Sequence, residues 1–107
     1  MKPASRTGIV ACCISFLFLL TLSACGTTPA GNAENGQKWY KMNNCTACHG
    51  EKGNGGRGPN ITGIDMGFGS FFRKLRKKDA PIMPPFPESK LSEQDAADIY
   101  AFLKSAK

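Results

Sequence analysis

Apolar positions near the N-terminus form one run without a charged residue, from Ile9 to Leu22. Two cationic residues, Lys2 and Arg6, precede the run. A membrane-spanning helix needs about 20 apolar residues, so this run is short for a span and has the length of a signal-peptide core. The pattern predicts that residues 1–24 are a signal peptide and that the protein is exported.

The first periodic segment after this run predicts a helix from Ala33 to about Asn43. Asn32 has the side chain of an N-cap residue. At helical spacing, Gly36 and Tyr40 share one face, which we expect to be buried. The segment leads directly into a group of cysteines.

A second helix is predicted at the C-terminal end, where Ser92 and Asp95 have the spacing of a capping box. A third, shorter helix is predicted from a Ser70 cap to about Lys78. No segment alternates apolar and polar residues as a strand does, so the fold class is all-α. The apolar stripe of the C-terminal helix contains Ala96, Ile99, Leu103 and Ala106, with Phe102 beside it.

The sequence Cys45-Thr46-Ala47-Cys48-His49 is the attachment signature of c-type haem. Two thiols at this spacing can each add to one haem vinyl group, and the adjacent imidazole then ligates the iron. A structural zinc site would want four Cys or His ligands, and His49 is the only histidine of the chain. A redox dithiol would need a βαβ setting, which the pattern does not offer. The motif therefore predicts one covalent haem c, with Cys45 and Cys48 attached and His49 as an axial ligand.

The formal net charge of +6 includes two cations of the predicted signal peptide, so the mature domain is only mildly basic. Nucleic acid is not an expected partner of such an exported protein, and we expect a monomer. Five cations are concentrated in the run Arg73-Lys74-Leu75-Arg76-Lys77-Lys78. Two interpretations of this run remain open: a solvated helix face, or a docking surface for an acidic redox partner.

From Ala33 to Lys107 the chain resembles the small monohaem cytochromes c. The resemblance implies a small cytochrome c fold, with three or more short helices around one haem and residues 33–107 as the domain. It also implies that the first and last helices cross where a glycine approaches an aromatic residue, here Gly36 and Phe102. The matching stretches are Tyr40 to Gly50, Gly58 to Ile64, Met83 to Phe86 and Leu91 to Lys104.

The same resemblance assigns further roles around the haem. Pro59 matches the proline whose carbonyl accepts the proton of the proximal histidine, which would orient the ring of His49. Met83 matches the distal ligand of the iron. Met66, in a glycine-rich loop, is the rival for that position, and Met42 precedes the attachment motif on the wrong side.

Two features depart from the family pattern or leave it open. The segment Lys77-Lys78-Asp79 is charged where many relatives have glycine, which puts the local turn in doubt. No tryptophan lies near the predicted haem edge, so the partners of the propionates are open. Arg57 and Arg73 are the candidates.

The tetrapeptide Leu22-Ser23-Ala24-Cys25 resembles the bacterial lipobox. It implies that Cys25 becomes a lipidated N-terminus, with residues 25–32 as tether. The alternative is an ordinary secretory signal beside an incidental cysteine. We expect a lipid anchor at the outer face of the cytoplasmic membrane or in the periplasm. Gly26 does not match the aspartate that retains lipoproteins in the inner membrane, so the outer membrane is a further destination.

The resemblance implies a one-electron carrier and not an enzyme. It would pass electrons from a quinol-oxidising complex or dehydrogenase to a terminal oxidase or reductase. Two alternatives remain. One is a dedicated haem subunit of a single oxidoreductase. The other is a haem peroxidase or gas-binding protein, which would require that the methionine ligand be displaced.

Replacement of Cys25 by Ser tests the predicted anchor. The wild-type protein should partition into the detergent phase and incorporate a labelled fatty acid, because the thiol of Cys25 carries the lipid. The Cys25→Ser variant should be released or misprocessed and remain unlabelled. A wild-type protein without fatty-acid label would contradict the prediction.

Overall fold

The computed structural model describes residues 28–78 and 80–107. The predicted signal peptide, Cys25 and the first part of the tether lie outside the described residues. The described part forms four helices and contains no strand, so the all-α prediction is confirmed. None of these helices is long and apolar enough to cross a bilayer. The helices are α1 (Ala33–Met42), α2 (Cys45–His49), α3 (Phe68–Arg76) and α4 (Glu93–Ser105).

Helix α1 begins at the predicted cap. The Asn32 side chain accepts a hydrogen bond from the backbone N–H of Asn35 at 3.0 Å, which satisfies one of the unpaired donors of the first turn. Gly36 and Tyr40 are buried, as their shared face predicts. Both residues lie on the face of α1 that packs against α4.

Helix α4 also begins as predicted. Ser92 accepts from the backbone N–H of Asp95, and the Asp95 carboxylate accepts from the backbone N–H of Ser92, both at 3.1 Å. This capping box fixes the start of the helix. Ala106 is the C-cap that follows the last helical residue, so Leu103 is the last residue of the predicted stripe inside the helix. The remaining stripe residues are buried: Ala96, Ile99, Phe102 and Leu103.

The crossing of α1 and α4 depends on a glycine. A Cβ atom at Gly36 would lie 1.9 Å from the carbonyl oxygen of Asp98, so only a residue without a side chain permits this approach. Tyr40 packs against Phe102 one turn later, with ring centroids 5.3 Å apart. The closest approach of Gly36 is thus to the α4 backbone and not to Phe102, because backbone contact leaves no room there for a ring.

Asp98 ties the same two helices together with its buried carboxylate. The carboxylate accepts from the backbone N–H of Asn32 at 2.8 Å and from the Gln94 side chain at 3.1 Å. A buried charge is tolerated when it is hydrogen-bonded in this way. The entry of α1 is therefore fixed to α4 over a separation of 66 residues.

Helix α3 differs from its prediction at both ends. It begins at Phe68 after a Gly67 cap, places Ser70 inside the helix, and ends at Arg76. The early start is explained by Phe68, which is buried and packs edge-on against Tyr100 with centroids 5.6 Å apart. That contact extends the helix towards its N-terminus, and a local capping signal could not reveal it.

Replacement of Gly36 by Ala tests the crossing. The added methyl group meets the α4 backbone, so the helices must separate, and we expect a loss of about 2–3 kcal/mol in the free energy of unfolding. Urea denaturation followed by circular dichroism measures it. Gly69→Ala is the matched control, because Gly69 lies inside α3 with no heavy atom within 4 Å of its Cβ position. It should be neutral or stabilising by about 0.5–1 kcal/mol. Equal stabilities of the two variants would contradict the role of Gly36.

Candidate functional site

The Cys-x-x-Cys-His motif forms the one-turn helix α2. Asn44 separates it from α1 in the left-handed conformation, with φ 58° and ψ 26°. Asn tolerates this conformation better than most residues. Residues three apart lie on the same side of a helix, so Cys45 and Cys48 project together, the first half-buried and the second exposed.

A cavity of about 390 Å³ lies beside this turn. Every helix contributes to its wall, and most of the lining is apolar. Cys45 and His49 come from α2, and the Met83 side chain comes from the segment between α3 and α4. The apolar lining includes Tyr40, Ile61, Ile64, Phe71, Leu75, Phe86, Leu91, Ile99 and Leu103.

The orientation of His49 is fixed by the loop that follows α2. Its Nδ1 atom lies 2.9 Å from the carbonyl oxygen of Pro59. A carbonyl oxygen can only accept, so Nδ1 carries the proton and Nε2 keeps its lone pair for a metal. Gly58 permits the approach, since a Cβ there would lie 3.1 Å from Nδ1. This contact is the one that the family resemblance implies for Pro59.

Tyr40 connects the loop to α1. Its hydroxyl donates to the carbonyl oxygen of Gly50 at 2.8 Å, directly after the motif. Burial, reinforced by the nearby Cys45 thiol, raises the pKa of Tyr40 to about 12. The phenol therefore remains a neutral donor throughout the physiological range.

Burial raises the pKa of the Cys45 thiol to about 11, so the unattached thiol is protonated at neutral pH. Among residues 28–78 and 80–107, no group of three or more His, Cys, Asp or Glu side chains could hold a metal ion. Neither the zinc nor the dithiol interpretation gains support from this geometry.

Two of the methionines reach the cavity. Met83 and Met66 both line it and are both half-buried, whereas the side chain of Met42 is 62% exposed and lies elsewhere. Met42 does not line the cavity, which agrees with the prediction that it lies on the wrong side for the distal ligand. The choice of Met83 over Met66 as the distal ligand stays a prediction, because both residues line the same cavity.

Charged residues at the cavity differ from those that the sequence suggested. Arg57 and Arg73 are exposed and do not line the cavity. Lys74 does line it, together with the amide side chain of Asn60. The sequence did carry a signal for Lys74, which is exposed but lies three residues after Phe71 and beside Leu75, at the edge of the buried face of α3.

The donor set fits a haem. An apolar cavity could receive the macrocycle, an imidazole nitrogen and a thioether sulfur could ligate its iron, and two thiols lie on the adjoining helix.

The chain matches the model of a known protein family. A family model described as cytochrome C oxidase, cbb3-type, subunit III, matches residues 31–103, which is well over half of the chain. The match contains every residue that lines the cavity. No curated protein and no solved structure matches the chain.

Proposed function

This chain belongs to the family described as cytochrome C oxidase, cbb3-type, subunit III, a family of c-type cytochrome domains, and we propose that it is a membrane-tethered one-electron carrier. Its fold is that of a small all-α cytochrome c, as predicted. The family implies covalently bound haem c and a general role in electron transfer. The observation that carries the proposal is the apolar cavity that joins the turn of Cys45 and His49 to Met83.

In this proposal the α2 turn would hold one haem. Cys45 and Cys48 would bind it covalently, each thiol adding across one vinyl double bond so that a C–S bond forms and the thiol hydrogen goes to the other vinyl carbon. His49 would ligate the iron through Nε2. The Pro59 carbonyl keeps the Nδ1–H of His49 hydrogen-bonded, which increases the basicity of the ligand.

We assign the second protein ligand of the haem iron to Met83. Its segment is stiffened by Pro84 and Pro85, and it is anchored where the backbone N–H of Phe86 donates to the carbonyl oxygen of Leu75 at 2.7 Å. The family resemblance supports the same choice. The backbone carbonyl of Met66 holds the Tyr100 hydroxyl at 2.9 Å, which gives that residue a structural role of its own.

Two fixed ligands suit electron transfer. Haem supplies a one-electron iron couple, and a methionine ligand raises its potential relative to bis-histidine ligation. With both ligands held in place, the iron would have no open position for a substrate, and rearrangement on a change of its charge would be limited.

The proposed route lies outside the cytoplasm. The protein would be exported, anchored through Cys25 at the outer face of the cytoplasmic membrane or in the periplasm, and act as a monomer. It would take electrons from a quinol-oxidising complex or dehydrogenase and deliver them to a terminal oxidase or reductase. The tether of residues 25–32 would keep the domain close to the membrane.

A second candidate function follows from the description of the matched family, which names an oxidase subunit. The chain would then be a dedicated haem subunit of one oxidoreductase. Gentle solubilisation of native membranes distinguishes the two. A shuttle elutes mainly by itself, and a subunit elutes in constant ratio with the other chains of its complex.

The basic surface supports an acidic redox partner. We define it as the four exposed cations Arg73, Lys74, Lys77 and Lys78. Lys74 and Lys77 also line a cavity of about 100 Å³ together with Met83, so positive charge lies beside the proposed distal ligand. A partner with carboxylates around its own redox centre would be drawn to this edge of the cytochrome.

Mass spectrometry of the denatured protein tests the haem assignment. The wild-type chain should carry the mass of one haem, which denaturation cannot remove because two thioethers hold it. Cys45→Ala and Cys48→Ala should each sharply reduce the mature holoprotein. A wild-type chain without covalent haem would refute the proposal.

Charge reversal tests the docking surface. The double variant Lys77→Glu, Lys78→Glu should lower the second-order rate of electron transfer with the partner roughly tenfold at low salt, because surface charges act mainly on encounter. Lys74 is left intact because it also lines the main cavity. The difference should fade at physiological ionic strength, where the Debye length is about 8 Å. Stopped-flow absorbance measures the rate.

Lys52→Glu with Lys107→Glu is the matched control for this experiment. Both residues are exposed and neither lines the cavity, so the net charge changes equally while the basic surface is kept. Equal rates for the two double variants would leave only the interpretation of a solvated helix face.

A further inference from the structure

Arg76 differs from the other cations of its run. Its side chain is 21% exposed, whereas the neighbouring Lys77 and Lys78 are exposed. The Nη1 atom donates to the carbonyl oxygens of Phe86 at 2.6 Å and Leu91 at 2.7 Å. Arginine is suited to such a site because its planar guanidinium presents several donors at once and always carries its charge.

The guanidinium makes two further contacts. Nη2 forms an ion pair with the carboxylate of Glu88, and the group lies over the ring of Phe72 with 4.5 Å to the centroid. The side chain at the end of α3 thus holds three points of the segment between Phe86 and Leu91.

These contacts close a loop. The chain leaves α3 after Arg76 and returns at Phe86, ten residues later, where the backbone N–H of Phe86 also bonds to Leu75. Met83 lies inside this loop, three residues before its closing point. Opening the closing contacts would give the loop back its conformational freedom and let the thioether leave the cavity wall.

We infer that Arg76 is a positioning residue for Met83: by pinning Phe86 and Leu91 to α3 it holds the thioether at the haem cavity. The inference rests on the proposed assignment of Met83 as the distal ligand. It also removes Arg76 from the basic surface, since its charge is already engaged inside the fold.

Imidazole is the probe, used with the purified ferric holoprotein. Imidazole binds the iron only when the methionine leaves, so its apparent affinity rises with the population of the open loop. Arg76→Gln should bind imidazole roughly tenfold more tightly than the wild type, which corresponds to about 1.4 kcal/mol. The long-wavelength charge-transfer band of thioether-ligated ferric haem should weaken in parallel.

Arg73→Gln is the matched control. Arg73 lies one turn earlier on α3 and is exposed, and within residues 28–78 and 80–107 its side chain donates one hydrogen bond, to Ser70 Oγ at 3.4 Å. The substitution removes the same charge, and imidazole affinity should stay within about twofold of the wild type. A rise equal to that of Arg76→Gln would show that loss of charge alone is sufficient and would overturn the inference.

Further outcomes also decide between these roles of Arg76. A lower urea midpoint for Arg76→Gln with unchanged imidazole affinity would make Arg76 a general structural residue and overturn the inference. Should this variant fail to accumulate, Arg76→Lys takes its place. A single ammonium cannot reproduce the planar fork, so affinity roughly threefold or more above wild type supports the inference, and an unchanged affinity overturns it. A wild-type protein without the thioether band would reject Met83 as ligand, and with it the proposed function.

Discussion

The contact between the backbone of Gly36 and the carbonyl of Asp98 sets the position of almost everything else in the domain. Because α2 follows α1 after only two residues, the crossing also places Cys45 and His49. On the other side of the crossing, α4 supplies cavity wall and the ring against which α3 packs. A separation of the two helices would therefore change the shape of the cavity at both ends.

The core and the cavity are built from the same side chains. Tyr40, Ile99 and Leu103 are almost fully buried, yet each also lines the cavity. A domain of this size buries only a modest apolar area from its own residues. The macrocycle would supply the missing apolar surface, so haem attachment and folding are expected to be coupled in this protein.

Local signals explain which parts of the structure could be predicted. Asn32 and the Ser92–Asp95 box are short-range devices, and the helices that they begin are where the sequence places them. The start of α3 could not be found in this way, because it depends on the contact of Phe68 with Tyr100. The attachment motif is contiguous and identifies its own chemistry, whereas Met66 and Met83 both reach the cavity and the sequence separates them only through family resemblance.

Arg76 shows the same limit more sharply. In the sequence it is one of five cations in a run, and charge alone gives no reason to distinguish it from Lys77. Its partners are carbonyl oxygens 10 and 15 residues further along, and backbone acceptors leave no trace in the sequence. A run of like charges can therefore serve two purposes, with one residue turned inwards and its neighbours left for solvent or a partner.

The two sides of the proposed haem site are held by different kinds of contact. On the histidine side, the ligand lies on a helical turn, and its hydrogen-bond partner Pro59 is only ten residues away. On the methionine side, the ligand lies in a loop closed by a side chain whose ion-pair partner, Glu88, is 68% exposed. Regions with few buried contacts and solvent-exposed bonds open first in native proteins. The methionine side is therefore where the domain should open, and the stability of that loop would limit how firmly the proposed ligand Met83 is held at the iron.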